Sequence, residues 1–311
     1  MTGSSGTESN FLNYIEMGLG AWAWGDSTLW NFGRDYAETD IEQAFHTSLA
    51  AGINLVDTAE VYGSGRSERF LGKFLKTTIT PVTVATKFMP FPWLLNRNAL
   101  MRSLENSLER LELDRVDLYQ IHWPFPPMPV EFWVEGMVKA VEAGKARAVG
   151  VSNFSESQME RADAVLKKHN LTLASNQVEY HLLNRAVEKN GLLSRCKEMG
   201  IRLIAYSPLA KGLLTGKYSP ESPPPGVRSR QPLNKMKALP RLIAIMKEVG
   251  QGHERKTPAQ VAINWLICKG ALPIPGAKNA LQAGQNAGAL GWRLTSEEVQ
   301  VLDDASDQFS K

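Results

Sequence analysis

Four residues that could do chemistry arrive one after another in this 311-residue chain: Asp57, Tyr62, Lys87 and His122. Asp57 ends the run Asn54-Leu55-Val56-Asp57, and Tyr62 follows in the next loop. Lys87 ends Val82-Thr83-Val84-Ala85-Thr86-Lys87, and His122 ends Val116-Asp117-Leu118-Tyr119-Gln120-Ile121-His122. Together they form a proton-handling set. A free phenol holds its proton to a pKa of roughly 10. A neighbouring ammonium lowers that value, and a carboxylate can hold the ammonium in place. An imidazole can steady a developing negative charge on oxygen.

Each residue also has a plainer reading. Asp57 alone would cap a helix or a turn. Tyr62, beside Gly63-Ser64-Gly65, would be a loop tyrosine, Lys87 a solvated strand end, and His122 a structural histidine before Trp123-Pro124. At the ends of three successive strands, the four together favour a site.

Those strands belong to an alternation that continues through the chain. Short apolar runs end near Gly20, Asp57, Lys87, Ile121, Val151, Gln177, Tyr206 and Ile274. Counting from Leu55, seven such strands each precede a helical pattern, and the run Tyr14–Gly20 adds an eighth. Units of about thirty residues suit a βα repeat. The predicted fold is therefore a single-domain α/β (β/α)8 TIM barrel, with residues 1–13 as a flexible lead. In such barrels the catalytic groups gather where the strands end. Ser155 after Asn153-Phe154, Pro258 at a first helical position and the Thr295/Glu298 pair predict helix starts. A long irregular loop is expected between Ser207 and Pro258.

Composition narrows the function. Apolar residues make up 43% and charged residues 22%, enough to bury a full core. Net charge is only +3 and no dense basic run occurs, which argues against nucleic acid. No apolar stretch is long enough to span a bilayer. Cys196 and Cys268 have no partner at metal or redox spacing, His181 has no evident co-ligand, and no metal site is expected. The polar start lacks a signal sequence, so a reducing, cytoplasmic compartment is expected. Gly18, Gly20 and Ala23 match G-x-G-x-x-A, yet an aromatic loop follows where a phosphate-binding helix must begin. The dinucleotide-fold reading is rejected.

With these residues in view, the sequence resembles the aldo-keto reductase family from about Met17 to Ala305. The blocks that carry the resemblance are Gly18-Leu19-Gly20-Ala21-Trp22, Asp57-Thr58-Ala59 with Tyr62-Gly63, Thr86-Lys87, Leu118-Tyr119-Gln120-Ile121-His122, Gly150-Val151-Ser152-Asn153-Phe154, Asn176-Gln177, Tyr206-Ser207-Pro208-Leu209, Leu214-Thr215-Gly216-Lys217 and Ile274-Pro275-Gly276-Ala277. Within the family it is most similar to a plastid and cyanobacterial oxidoreductase branch, related to plant pyridoxal reductases.

The resemblance implies NADP(H)-dependent interconversion of a small carbonyl compound and its alcohol, by a monomer. Tyr62 would be the general acid, Lys87 would lower its pKa, Asp57 would hold Lys87, and His122 would orient the carbonyl oxygen. By the same resemblance Trp22 lies along the cofactor path, Ser152, Asn153 and Gln177 hold the carboxamide, and Tyr206 stacks on the nicotinamide. Ser207, Pro208, Leu209, Ala210 and Lys217 would grip the pyrophosphate, with Arg230 or Arg228 helping. Gly276, Lys278, Gln282, Gln285 and Asn286 match the adenosine end. Gln282 stands where many relatives carry Arg, which leaves Lys278 as the cation for a 2′-phosphate. Trp24, Trp30, Trp93 and Trp123 are candidates for an aromatic substrate pocket suited to an apolar or aromatic carbonyl. The competing reading is a cofactor-binding regulatory or redox-sensing subunit of the same fold, with slow turnover.

Overall fold

A computed structural model describes residues 10–96, 98–224 and 233–309 of the chain, the side chains of 233–235 excepted. Eight parallel strands pair in sequence order. They are β1 (Gly18–Gly20), β2 (Leu55–Asp57), β3 (Thr83–Phe88), β4 (Val116–Ile121), β5 (Ala146–Ser152), β6 (Leu173–Glu179), β7 (Arg202–Tyr206) and β8 (Leu272–Pro273). A parallel bridge between Gly20 and Gly276 brings the two edges together, with the Gly20 amide donating to Pro275 O at 3.0 Å. A Cβ on Gly20 would lie 2.7 Å from the Ile274 carbonyl oxygen, so the closure requires glycine there. The G-x-G pattern is thus explained by barrel closure and not by a phosphate loop.

The two-residue period of a strand decides what points inward. Leu55, Ala85 and Leu118 belong to the apolar cluster that fills the barrel, with Ile204, Leu272 and Ile274. Two positions on, the same inward face carries Asp57, Lys87 and Gln120, all almost fully buried. The alternate residues Val56, Val84, Tyr119 and Ile121 join the larger cluster beneath the helices.

The helices are α1 (Glu38–Ala50), α2 (Arg66–Leu75), α3 (Asn98–Leu111), α4 (Val130–Glu142), α5 (Glu156–Lys167), α6 (Ala186–Lys189), α7 (Leu192–Glu198), α8 (Leu233–Gln251), α9 (Pro258–Cys268), α10 (Ala280–Ala287) and α11 (Ser296–Ser306). Capping boxes open α5 at Ser155, α9 at Thr257 and α11 at Thr295. Among the described residues, no helix is long and apolar enough to cross a membrane.

Three expectations need correction. Residues 10–13 are not a loose lead. Phe11–Tyr14 form a 3-10 turn, and Leu12 is fully buried within the barrel's inner cluster. The first strand is correspondingly shorter than Tyr14–Gly20. The expected loop before Pro258 contains α8, whose buried Met236, Leu239, Ile243 and Met246 recur at helical spacing. Pro240 obscured that signal, since proline removes an interior helical hydrogen bond. The single helix expected before Gly200 is two short ones, α6 and α7.

Candidate active site

Asp57 is the last residue of β2, Lys87 the penultimate residue of β3, and His122 directly follows β4. Tyr62 opens a turn whose next residue, Gly63, has φ +55°. A Cβ at Gly63 would also meet the Gly25 backbone at 2.8 Å, so glycine is required to seat the Tyr62 loop on the first βα loop. The four residues meet. Lys87 Nζ bonds Asp57 Oδ1, donates to Thr58 O at 2.8 Å and reaches Tyr62 Oη at 3.4 Å. Asp57 Oδ2 accepts from Gln120 Nε2 at 3.1 Å and from Gln177 Nε2 at 2.8 Å. The Tyr62 and His122 rings sit edge to face, with centroids 5.6 Å apart.

Burial governs the electrostatics. It is the largest cause holding the Lys87 ammonium below its usual pKa, and Asp57 opposes it. Burial, with a smaller contribution from Asp57, pushes the Tyr62 phenol well above its ordinary value. This corrects the expectation that Lys87 lowers it: beside an already paired ammonium, the phenol stays protonated. His122 falls to about 3, first through burial and then through repulsion by Lys87. The imidazole is therefore neutral at ordinary pH. Its buried Nδ1 has no hydrogen-bond partner among the described residues. A buried polar atom left in this way is costly unless something else satisfies it.

Asp57, Tyr62 and His122 line a cleft of about 830 Å³, and Lys87 is fully buried behind them. Asn153 stands beside them at φ +62°, its Nδ2 donating to His122 O at 3.1 Å and to Ser152 Oγ at 3.0 Å. Tyr206 Oη donates to Asn153 Oδ1 at 3.1 Å, and Ser152 Oγ to Gln177 O at 2.8 Å. Further along, Ser207, Ala210, Lys211 and Gly212 all have positive φ. The Ala210 and Gly212 amides are spent inside this turn, donating to Ser207 O at 2.8 Å and Leu209 O at 2.9 Å, so the groups there suited to an anion are the Lys211 and Lys217 ammoniums.

At the far end, Asn279 caps α10 by accepting from the Gln282 amide at 3.0 Å, and Gln282 Oε1 accepts from the Lys278 amide at 3.0 Å. Asn286 Nδ2 donates to Gly276 O at 3.2 Å. Lys278 Nζ donates to Trp30 O at 3.0 Å and lies 4.9 Å and 4.6 Å from the ring centroids of Trp30 and Tyr36.

Most of the residues singled out in the sequence line this cleft. They are Trp22, Trp30, Trp123, Ser152, Asn153, Gln177, Tyr206, Ser207, Pro208, Leu209, Lys217, Gly276, Lys278, Gln282, Gln285 and Asn286. Three do not. Trp24 is fully buried, donates from Nε1 to Ala277 O at 3.1 Å and packs on Phe74; it supports the wall from behind. Trp93 is 71% exposed and stacks on Phe91 outside the cleft. Ala210 is buried beneath its turn. Arg230 and Arg228 lie outside the described residues.

Val61, Met89 and Lys211 line the cleft but went unread. Met89, two positions past Lys87, continues the strand's inward period into the loop. Lys211, between Ala210 and Gly212, carried its signal in a glycine-flanked turn. The Lys211 ammonium lies 5.9 Å from the Trp22 ring centroid. His181 makes local contacts: Nε2 lies 3.5 Å from Glu179 Oε1, and Nδ1 accepts from the Leu183 amide.

Comparison with known proteins gives a consistent result. The sequence profile of the Aldo/keto reductase family matches residues 16–307. The chain is 41% identical to a chloroplastic pyridoxal reductase of Arabidopsis thaliana, over 96% of this chain and 85% of that protein. It is 36% identical to an aldo-keto reductase of Bacillus subtilis, over 92% of this chain and 88% of the other. A glycerol dehydrogenase from Gluconobacter oxydans superposes with a TM-score of 0.81 at 28% identity, over 94% and 92% of the two chains. An aldo/keto reductase from Klebsiella pneumoniae, solved in complex with NADP and acetate, superposes with a TM-score of 0.72 at 30% identity, over 93% and 90%. The chain belongs to the aldo/keto reductase family.

Proposed function

We propose that this protein is an NADP(H)-dependent reductase of aldehydes and ketones, with Tyr62 as the proton donor. One observation carries the reading: a protonated phenol, a buried ammonium and a neutral imidazole meet at a cleft of about 830 Å³. The cleft suits that cofactor. Lys211 and Lys217, on and beside the left-handed turn Ala210–Gly212, match a pyrophosphate. Ser152, Asn153 and Gln177 match a carboxamide, Tyr206 a planar ring, and the α10 start with Lys278 a 2′-phosphorylated adenosine. The cofactor, when bound, supplies the hydride that reaches the carbonyl carbon.

The chain's own residues handle the rest. Negative charge grows on the carbonyl oxygen as the carbon is reduced, and Tyr62 Oη delivers the proton that completes the alcohol. Lys87 faces the phenolate left behind and stabilises it, while Asp57 keeps the ammonium in place. Because Lys87 and Asp57 already balance each other, the phenol keeps its proton until the substrate demands it. His122, neutral and lining the cleft beside Tyr62, orients the carbonyl oxygen. Trp22, Trp30 and Trp123 offer flat apolar walls to an aromatic or apolar carbonyl.

The similarity to a pyridoxal reductase makes pyridoxal the first aldehyde to try, and that relative's chloroplast location stands beside the cytoplasmic one expected from the sequence. The direct test is a titration with NADPH and NADH followed by tryptophan fluorescence, then an aldehyde panel including pyridoxal. Tight NADPH binding with aldehyde-dependent oxidation is expected. Failure to bind either nucleotide overturns the reading, and tight binding with negligible turnover favours the regulatory alternative.

A further inference from the structure

Between Asp57 and Tyr62 in the sequence lies a carboxylate that the proposed reaction does not use. Glu60 is half-buried, and its backbone amide donates to Lys87 O at 3.3 Å. Its Oε1 accepts from the Met89 amide at 2.6 Å, and its Oε2 bonds the Ser103 hydroxyl on α3. One side chain therefore joins the Tyr62 loop, the end of β3 and the first turns of α3. Burial raises its pKa most, and the Met89 amide and Ser103 hydroxyl pull it back.

The segment it holds forms a wall beside the catalytic groups. Met89 lines the cleft with Tyr62, His122 and Trp123. Among the described residues, the other backbone bonds of residues 89–96 are Phe91 to Met89 O and Leu94 to Phe91 O within the segment and, at its far end, the Ala99 amide of α3 to Asn96 O, all 2.9 Å. Behind this wall lies a second hollow of about 430 Å³, lined by Glu60, Phe91, Leu94, Ser103 and Arg110. It shares Val61 and Met89 with the main cleft. Packing alone does not back the wall on that side, so the wall can shift into the hollow unless something tethers it.

We propose that Glu60 is a positioning residue for substrate recognition, fixing the Met89 wall against the hollow behind it through its bonds to the Met89 amide and the Ser103 hydroxyl. The proposal rests on the carbonyl-reductase reading for its kinetic consequence, but not for its structural one. Neither bond touches the cofactor stretch of the cleft. Loss of the tether should therefore weaken substrate binding and leave nucleotide binding alone. A glutamine keeps an acceptor for Met89 and gains a donor for Ser103, so it should restore the wall.

Amide hydrogen exchange on the protein alone tests the tether. In Glu60→Ala the Met89 amide should exchange about tenfold faster or more, while in Glu60→Gln it stays within about threefold of wild type. In turnover, Glu60→Ala should raise KM for the aldehyde about tenfold, with kcat and the Kd for NADPH each within about twofold. Ser103→Ala, which removes one bond of the two, should raise KM about threefold and serves if Glu60→Ala does not fold. Unchanged exchange at Met89 in Glu60→Ala overturns the proposal. So does a parallel shift of KM, kcat and Kd, or a Glu60→Gln variant as impaired as alanine. If the wild-type protein reduces no aldehyde, the proposed activity falls while the exchange experiment still decides the tether.

Discussion

Two of the buried charge clusters among the described residues are finished differently. One is the Asp57–Lys87 pair at the mouth. The other lies outside the strands, where Arg185, Glu188, Lys269 and Asp303 join α6, α9 and α11. In the outer cluster the polar groups are answered. Arg185 Nε and Nη2 each bond Glu188 at 2.9 Å, and Nη1 donates to Asp303 O at 2.6 Å and Ser306 Oγ at 3.2 Å. Lys269 Nζ lies 2.9 Å from both Glu188 and Asp303. Tyr180 Oη donates to Glu188 at 2.7 Å and Trp265 Nε1 to Asp303 at 2.9 Å.

At the mouth, only Asp57 and Lys87 are completed. Tyr62 Oη has a long 3.4 Å contact from Lys87, and His122 Nδ1 has no partner among the described residues. A cluster built for stability closes its hydrogen bonds on itself. A cluster built for chemistry leaves donors and acceptors for a molecule that is still to arrive.

Mutations can break that contrast. The largest effect expected is Tyr62→Phe, which removes the proton donor and should lower kcat by about 10²–10⁴ while NADPH still binds. Steady-state kinetics with fluorescence titration measures both, and unchanged reduction removes Tyr62 from its role. Arg185→Ala should do the reverse. It strands buried carboxylates, costing on the order of 3–5 kcal/mol in urea unfolding, with kcat of the folded protein unchanged. A fall in kcat without destabilisation would show that the outer cluster is not a staple.

Acid separates the two clusters by pH. The pKa of His122 in the fold is about 3, against an ordinary 6.5. Between those values the unfolded chain binds the extra proton, so stability falls as pH drops through the window. The loss is on the order of 2 kcal/mol by pH 5. For Glu188, burial raises the pKa, but Arg185, Lys269 and Tyr180 outweigh it and bring it from 4.5 to about 2. Its stabilisation is present above 4.5 and is lost as pH falls towards 2. Unfolding curves between pH 6.5 and 4.5 should therefore flatten in His122→Asn and keep their slope in Glu188→Gln. The opposite pattern would reverse the assignment.

Smaller effects remain. Lys278→Ala should weaken NADPH about tenfold and NADH little, because only the former carries the extra phosphate; equal losses would mean that Lys278 merely anchors Trp30. Cys196→Ser with Cys268→Ser should change kcat/KM by less than about twofold. Burial pushes the Cys196 thiol up to about 12, and it packs against Met159. A loss of activity in a folded double variant would reveal a thiol role.

Much of this protein was legible from one dimension. Strand ends are local: apolar runs halting at Asp57, Lys87 and His122 place those residues on one face of a parallel barrel, because every strand of such a barrel points the same way. Helix starts at Ser155, Pro258 and Thr295 were readable for the same reason, since their signals lie within one turn of the start. Other features depend on groups far apart in sequence. Trp24 and Trp22 are near neighbours of one residue type, yet the fold turns one into the core and the other into the cleft. Nothing within the first loop encodes that choice, because Trp24 is held by Ala277 and Phe74.

The same holds for electrostatics. The sequence supplied a phenol and an ammonium, and from those alone a lowered phenol pKa follows. Burial and the placement of Asp57 reversed the sign. The sequence by itself determined which groups stand at the barrel mouth, because strand period and strand ends are short-range. Tertiary structure decided which are charged, which are already satisfied and which remain open to a substrate, because desolvation is set by everything packed around them.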